Sequence, residues 1–314
     1  MDSNITMIPD LLKNRLKRKK KHSAEDIILD TFIIISLTML CIATLYPFWY
    51  VVVVSMSSAE GIAKSGGFMI WPKGFNLESY KAVLSSKEIF IGFRNSMFYV
   101  IAGTIISVVL TILLAYPLSK RDLGGRKPLM ILVTITMFFG GGLIPSYILI
   151  SKILNIDGTV FAIIIPGAIS TYNMLMMRTY FQGIPKELEE SASIDGASTM
   201  QILIRVILPL SIPSIAVISL FYAVGAWNSW FSANLYLART RDLWPLSLML
   251  REIMIQGNVN TVQGQLSGSA GNAVQMAKSL KMATTVVTTI PILVVYPFIQ
   301  KYFTKGIMVG SLKE

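Results

Sequence analysis

Long apolar segments dominate this sequence and limit what it can fold into. Hydrophobic residues make up 53% of the 314 residues and charged residues only 14%, whereas a soluble domain usually carries about 25% charged residues. The surplus apolar side chains need apolar surroundings, and the bilayer core provides them because a helix satisfies its own backbone there. The composition therefore predicts an all-α integral membrane protein.

Six segments are long and apolar enough to cross a bilayer, which takes about 20 mostly apolar residues. They are residues 27–55, 95–118, 129–150, 159–181, 207–234 and 279–302. The first is too long and too bulky for a cleavable signal peptide. We expect a six-helix transmembrane domain over residues 27–302, with a basic tail at 1–26 and a short C-terminal tail at 303–314.

The basic residues indicate the orientation, because cytoplasmic loops carry an excess of Lys and Arg. Seven of them lie between Lys13 and Lys21, and the following positions also fall on that side: Lys120, Arg121, Arg126, Lys127, Lys301, Lys305 and Lys313. Both termini are therefore predicted to be cytoplasmic. The net charge of +11 is explained by topology and does not indicate nucleic-acid binding. On the opposite side, residues 235–275 are rich in Gly, Asn, Gln and Ser and predict a loop with little core.

The segment 185–209, between the fourth and fifth predicted spans, is the most acidic part of the chain. Its acids are Glu187, Glu189, Glu190 and Asp195. Pro185 suits the first position of a helix, where the acids favour the positive end of the dipole. Gly196 suits a left-handed cap, and Ser198 with Gln201 matches a capping box. The pattern predicts helix, glycine corner, helix.

This bent acidic segment is suited to docking on a soluble protein. The alternative is an amphipathic loop at the lipid surface. Anionic lipids attract Lys and Arg rather than acids, so the residues favour a docking role over lipid binding.

The same segment resembles the EAA loop of ABC-importer permeases. That loop reads Glu-Ala-Ala, three residues, Gly, nine residues, Ile-x-Leu-Pro, and here Glu190-Ser191-Ala192, Gly196 and Val206-Ile207-Leu208-Pro209 keep the spacing. The departures are Ser191 and Val206. Asp195-Gly196-Ala197 and the ending Lys305-Gly306-Ile307-Met308-Val309-Gly310 are similar to carbohydrate importers of the maltose type. Phe139-Gly-Gly-Gly-Leu-Ile-Pro145 and Met177-Arg-Thr-Tyr180 resemble permeases for complex oligosaccharides.

The resemblance implies a six-helix permease subunit in a bacterial plasma membrane. It implies four partner subunits or proteins besides lipid: a second, homologous permease, two ATP-binding cassette subunits and an extracellular solute-binding protein that delivers an oligosaccharide. By carry-over, the coupling contact with the ATPase would be made by Glu187, Glu190, Ala192, Asp195, Gly196 and Ala197. Transport would proceed by alternating access.

The residues indicate no catalytic centre, metal site or cofactor in this chain. The phosphate-binding pattern G-x-x-x-x-G-K-[ST] is missing, as is H-E-x-x-H. Cys41 and His22 are the single cysteine and the single histidine, so neither a cysteine cluster nor a Ser/His/Asp set can form. The chain is predicted to be a non-enzymatic subunit that takes its energy from a partner.

Two polar or aromatic clusters are candidates for contact with substrate, because polar groups inside spans are often functional. The first comprises Trp227, Asn228, Trp230 and Asn234, three of which would share one face of the fifth span at i, i+3 and i+7. The second comprises Tyr172 and Asn173 in the fourth span. The alternatives are an interfacial aromatic belt for the first and helix–helix hydrogen bonding for the second.

Three other functions stay open on the residues alone. The chain could be a permease of the same family for a non-sugar solute, since the carbohydrate assignment depends on the resemblance. An ATP-independent secondary transporter would need intramembrane acids for ion coupling, and the predicted spans contain almost none. A membrane protein with an interaction role alone would not need the aromatic and polar faces.

Overall fold

Helices form nearly all of the regular structure in this chain. The computed structural model describes residues 24–255 and 271–311. Within these ranges the exception is one isolated antiparallel bridge between Ser57 and Phe75. Three helical stretches are long and apolar enough to cross a membrane: Glu25–Ser55, Lys87–Ser119 and Val274–Val294. Two bent helix pairs raise the number of candidate spans to five if each pair counts as one. A helical membrane fold is confirmed.

We number the helices in chain order. The first eight are α1 (Ala24–Ser55), α2 (Ala59–Ala63), α3 (Glu78–Ser85), α4 (Lys87–Ser119), α5 (Arg126–Phe138), α6 (Leu143–Ile148), α7 (Phe161–Ile164) and α8 (Thr171–Gln182). The next five are α9 (Lys186–Ile194), α10 (Thr199–Ile202), α11 (Leu208–Leu210), α12 (Ile212–Trp227) and α13 (Trp230–Tyr236). The last two are α14 (246–255) and α15 (Gly271–Ser311). π-helical turns follow α6 (Leu149–Ile153) and α10 (Leu203–Ile207), and a 3₁₀ turn spans Arg241–Leu243.

The described residues divide into two compact units, one that ends at residue 50 and one that begins at residue 51. In the first unit, α1 carries exposed apolar side chains such as Ile28 at 69% and Phe32 at 68%. That surface is expected of a helix surrounded by lipid. Of the predicted basic tail 1–26, residues 1–23 lie outside the described residues.

The core of the second unit forms where α4, α8 and α12 pack together. Met174 and Met177 of α8 are fully buried, as is Ile218 of α12. Three residues of the segment 185–209, Ile202, Leu203 and Ile207, belong to the same apolar cluster. Its other buried members are Val108, Ile112, Ala115, Tyr116, Leu118 and Phe181. The apolar part of the segment 185–209 is therefore built into the core rather than attached to it loosely.

The third and fourth predicted spans each contain a break. The third bends by 110° between α5 and α6, where Gly142 adopts a left-handed φ of +84° that glycine tolerates without strain. The fourth, 159–181, is divided into α7 and α8, because Pro166 and Gly167 interrupt it and Ser170 caps the start of α8. Proline and glycine interrupt helical hydrogen bonding, which accounts for both breaks.

The prediction of one continuous fifth span at 207–234 is wrong. The chain bends by 83° between α11 and α12, at Ser211, between two prolines that remove backbone donors. It breaks again after Trp227, where Asn228 is the C-terminal cap of α12 and α13 begins at Trp230. The prediction treats such prolines as tolerated within one membrane helix.

The prediction of a loop at 235–275 is wrong for residues 246–255, which form α14. Leu246, Leu248 and Met249 of this helix are buried. Gly92 of α4 allows the close approach, since an added Cβ there would lie 2.5 Å from the Met249 sulfur. Residues 256–270 lie outside the described ranges. The predicted C-terminal tail 303–314 is helical as far as Ser311, within α15.

Candidate coupling segment and central cavity

The segment 185–209, which we call the coupling segment, contains the predicted glycine corner. Gly196 has φ +80°, and its N–H donates to the Ser193 carbonyl at 3.0 Å. The Ala197 N–H donates to the Ala192 carbonyl, also at 3.0 Å. These two bonds form a Schellman motif, which satisfies the last carbonyls of α9 and turns the chain. Helix α9 starts at Lys186, one residue later than predicted, and Pro185 is its N-terminal cap.

The predicted capping box is also present. The Ser198 hydroxyl accepts from the Gln201 N–H at 3.4 Å, and the Gln201 side-chain oxygen accepts from the Ser198 N–H at 2.8 Å. Helix α10 then continues through the π-helical turn into α11. Both ends of the corner are thus held by hydrogen bonds between near neighbours in the sequence.

The side chains of the coupling segment divide into an outward and an inward set. Glu187, Glu190, Asp195 and Gly196 are exposed. Ala192 and Ala197 are half-buried and pack against the core of the second unit. The two alanines therefore hold the corner in place, while the acids face outward.

Ile194 is a candidate contact residue that sequence reasoning missed. It is 87% exposed at the tip of the corner, directly before Asp195. An isoleucine this exposed leaves apolar surface in water, and a partner that covered it would remove that cost. The available signal was an apolar residue that interrupts an otherwise polar helix.

The coupling segment is fastened to the end of α4. Lys120 forms an ion pair with Glu189, and its ammonium lies 4.3 Å from the centre of the Tyr116 ring. Burial, and then repulsion from Lys186, lowers the pKa of Lys120, and the Glu189 carboxylate offsets that cost by pairing with it.

Side-chain donors cap the free carbonyls at the C-terminus of α4. The Leu118 carbonyl accepts from Arg126 Nε at 3.1 Å and from Arg178 Nε at 2.9 Å. The Ser119 carbonyl accepts from Gln182 Nε2 at 3.2 Å. Basic groups at a helix C-terminus also favour its negative dipole end. Helices α4, α5 and α8 are thus connected at the end that carries the coupling segment.

A cavity of about 510 Å³ lies among helices of the second unit, and we call it the central cavity. Helices α4, α7, α8, α12 and α13 contribute to it. Its polar or aromatic lining residues are Tyr99, Ser107, Ser170, Tyr172, Asn173, Phe221, Tyr222, Ser229 and Ser232. Such a lining offers hydroxyl partners and aromatic faces within one space.

One chain of hydrogen bonds fixes the wall around Asn173. The Tyr222 hydroxyl lies 2.7 Å from Thr111 Oγ1 and accepts from the Ser170 N–H at 3.0 Å. Ser170 in turn accepts from the Asn173 N–H at 3.4 Å. Three helices are linked in this way, so the start of α8 has a defined position.

Asn173 has an unused hydrogen-bonding side chain. Its exposure is only 5%, and its carboxamide forms no hydrogen bond within residues 24–255 and 271–311. A carboxamide can both donate and accept hydrogen bonds. Because Asn173 lines the cavity, a ligand there can supply the missing partner. Tyr172 lines the same cavity and is 54% exposed.

The first predicted substrate cluster does not share one helical face, because the break after α12 separates its members. Trp227 packs edge-on against Phe93, with 6.2 Å between ring centroids. Asn228 donates to the Val224 carbonyl at 2.9 Å, and Asn234 is exposed. Trp230 packs into an apolar cluster with Tyr99 and its neighbours. None of these four residues lines the central cavity.

Tyr222, Ser170 and Ser229 are cavity residues that sequence reasoning missed. Tyr222 carried a usable signal, because a tyrosine in the middle of an apolar span needs a partner for its hydroxyl. The two serines are small, and serine is common in membrane helices. Only the folded arrangement distinguishes them from other serines of the chain.

The comparisons with known proteins agree with this architecture. The family model described as binding-protein-dependent transport system inner membrane component matches residues 125–309. The polygalacturonan/rhamnogalacturonan transport system permease protein YtcP of Bacillus subtilis (strain 168) is 42% identical over 277 residues, covering 88% of this chain and 95% of that protein. LplC of the same organism is 41% identical, covering 86% of this chain and 90% of that protein.

A solved structure is similar over nearly the whole chain. It is the crystal structure of a bacterial ABC transporter involved in the import of the acidic polysaccharide alginate. The matched chain has a TM-score of 0.80 and 31% sequence identity, and the match covers 90% of this chain and 99% of that one. Together with the family match, these relatives place this chain among the binding-protein-dependent transport system inner membrane components, which are the non-catalytic transmembrane permease subunits of ABC importers.

Proposed function

We propose that this permease translocates an oligosaccharide through the central cavity. The observation that carries the proposal is the cavity itself, about 510 Å³ in volume, with the unpaired amide of Asn173 in its wall. Sugars present many hydroxyl groups and apolar ring faces, and the serines and tyrosines of the lining are suited to both. The transport names of YtcP and of the alginate importer, both polysaccharide systems, support a sugar cargo over other solutes.

The coupling segment is proposed to dock on the ATPase subunit. Its outward acids, Glu187, Glu190 and Asp195, would face basic groups of that subunit, and Ile194 would enter an apolar pocket. Ala192, Ala197 and Gly196 would set the angle of the corner. The Schellman motif and the Lys120–Glu189 pair support this role, because a segment that transmits motion has to be held firmly to the helices it moves.

The transmembrane arrangement is proposed to have six spans, with both termini in the cytoplasm. Counting each bent pair as one span gives five, and α7 with α8 would form the sixth. The basic residues at 120–127 lie beside the coupling segment, which supports a cytoplasmic location for both. A second, homologous permease and two ATP-binding cassette subunits would complete the complex, and an extracellular binding protein would deliver the sugar.

The test uses the assembled complex in proteoliposomes, with the binding protein added outside. Uptake is measured for labelled neutral and acidic oligosaccharides and for a labelled peptide of similar size. We expect ATP-dependent uptake of at least one oligosaccharide, abolished by Glu190→Lys through loss of docking. Uptake of the peptide but of no oligosaccharide would show that the cargo is not a sugar. Unchanged uptake in Glu190→Lys would show that docking does not depend on this acid.

A further inference from the structure

The ring of Trp230 carries the guanidinium of Arg251 on one face. The guanidinium carbon lies 3.6 Å from the ring centroid. Trp230 directly follows Ser229, and Ser229 and Ser232 both line the central cavity. Trp230 also packs against the cluster that contains Tyr99 and Ile164 of the cavity lining. The stacked pair therefore adjoins the cavity wall without itself lining it.

Arg251 has a positive charge without a counter-ion. It forms no ion pair with any residue of the described ranges. Stacking on an aromatic ring leaves the N–H donors of a guanidinium free at its edge. Those donors match the two oxygens of a carboxylate in a bidentate pair. Arg251 thus offers donors whose geometry fits a carboxylate.

Arg241 provides the contrast. It also lies over a tryptophan, with its guanidinium carbon 5.3 Å from the Trp244 ring centroid. However, it pairs with Glu88 at 3.5 Å, so its charge has a partner inside the chain. The two stacked arginines therefore differ. Arg241 has a carboxylate partner, and Arg251 has none among the described residues.

The central cavity contains no competing charge. None of its described lining residues is Asp, Glu, Lys or Arg. An anionic cargo in this space would meet no repelling carboxylate in the wall, and Arg251 would be the positive group beside it. In an uncharged, partly buried setting a charge-assisted hydrogen bond is stronger than a neutral one.

Building on the oligosaccharide cargo proposed above, we propose that Arg251, held on Trp230, binds a carboxylate of the sugar and makes this permease selective for acidic oligosaccharides built from uronic acids. Arg251 would then be a specificity-determining residue. The polar lining of the cavity would recognise hydroxyl groups, and Arg251 would recognise the charge.

The test compares trigalacturonate with its fully methyl-esterified form, which has the same length and linkage but no charge. Uptake of each is measured with the complete complex in proteoliposomes for the wild type, Arg251→Gln and Arg251→Lys. The matched control is Arg241→Gln. Each rate is divided by the wild-type rate for the same sugar, so that any preference of the binding protein cancels.

We expect Arg251→Gln to lower trigalacturonate uptake about tenfold, the effect of losing one charge-assisted hydrogen bond, and to leave ester uptake unchanged. Arg251→Lys should restore part of the loss, and Arg241→Gln should change neither sugar. If the wild type does not import the ester, the trigalacturonate rates alone decide. Lower uptake in Arg251→Gln that Arg251→Lys partly restores supports the site, and lower uptake in both variants overturns it.

Equal effects of Arg251→Gln on both sugars, or no effect on either, would overturn the assignment. A wild type that imports neutral oligosaccharides but not trigalacturonate would overturn the acidic selectivity while the proposed sugar transport stands. A wild type that imports no oligosaccharide at all would contradict the proposed function as well.

Discussion

The coupling segment keeps its shape through contacts between close neighbours in the sequence, whereas the central cavity depends on contacts between distant helices. The N–H groups of Gly196 and Ala197 donate to carbonyls three and five residues earlier in the same short stretch. In the cavity, Tyr222 reaches Thr111 across 111 residues and Ser170 across 52. A local structure can move as one body, while a cavity wall made of several helices can change shape when those helices move.

The largest effect should come from Gly196→Val in the coupling segment. The left-handed φ of +80° costs an L-residue about 1–2 kcal/mol, and a β-branched side chain is the least suited to it. We expect ATP turnover stimulated by the binding protein to fall about tenfold as the corner changes its angle. The assay is ATP hydrolysis by the reconstituted complex.

Gly196→Asn is the matched control, because asparagine tolerates the left-handed region. An added Cβ meets no atom within 4 Å, so a loss in the valine variant reports backbone strain rather than a clash within the chain. Wild-type turnover in Gly196→Val would mean that the angle of the corner does not matter for coupling.

In the cavity, Asn173→Ala should lower sugar uptake about tenfold, the scale of one lost hydrogen bond to a buried partner. Asn228→Ala should stay within about twofold, because its side chain is exposed and bonds only to its own helix. Initial uptake rates of labelled oligosaccharide distinguish the two. Equal losses would indicate that Asn173 acts through packing and not as a sugar ligand.

Loss of the capping box by Ser198→Ala should destabilise the coupling segment by about 1 kcal/mol. The effect should be seen as faster proteolysis within residues 185–209, with little change in the thermal unfolding of the transmembrane helices. Ser193→Ala, at an exposed position inside α9, is the control. Identical proteolysis of both variants would show that the box does not hold the corner.

The smallest effect concerns the Lys120–Glu189 pair. Its side chains are 31% and 23% exposed, so a double-mutant cycle with Lys120→Met and Glu189→Gln should give a coupling free energy of about 0.5–1 kcal/mol. Salt should weaken it, since the pair is partly open to solvent. Thermal unfolding of the purified complex at two salt concentrations measures both quantities. A coupling of zero would remove this pair from the attachment of the segment.

The sequence predicted the coupling segment well because its signals are local. Ser198 and Gln201 lie three residues apart, and Gly196 follows its helix directly, so spacing alone is enough to recognise the corner. The docking roles of these residues stay predictions.

The breaks and the cavity could not be predicted in the same way. Apolar sequence continues across Ser211 and Asn228, so periodicity placed Trp227 and Trp230 on one helix. Helix α14 lies in a region whose overall content of Gly, Asn, Gln and Ser predicted a loop, although residues 246–255 are themselves mostly apolar. Its burial depends on the close approach at Gly92. Tyr172 and Asn173 were found because polar residues inside a span are rare. Tyr222 and the serines needed the tertiary fold.

The most direct test of coupling places a photo-crosslinking amino acid at Ile194, the exposed tip of the corner. After illumination of the assembled complex, we predict a covalent adduct with the mass of this chain plus one ATPase subunit. The same amino acid at Ile290, an exposed position in α15, should give no such adduct. Absence of the ATPase adduct from the Ile194 position, or an adduct with the extracellular binding protein instead, would contradict the assignment of this segment as the coupling element.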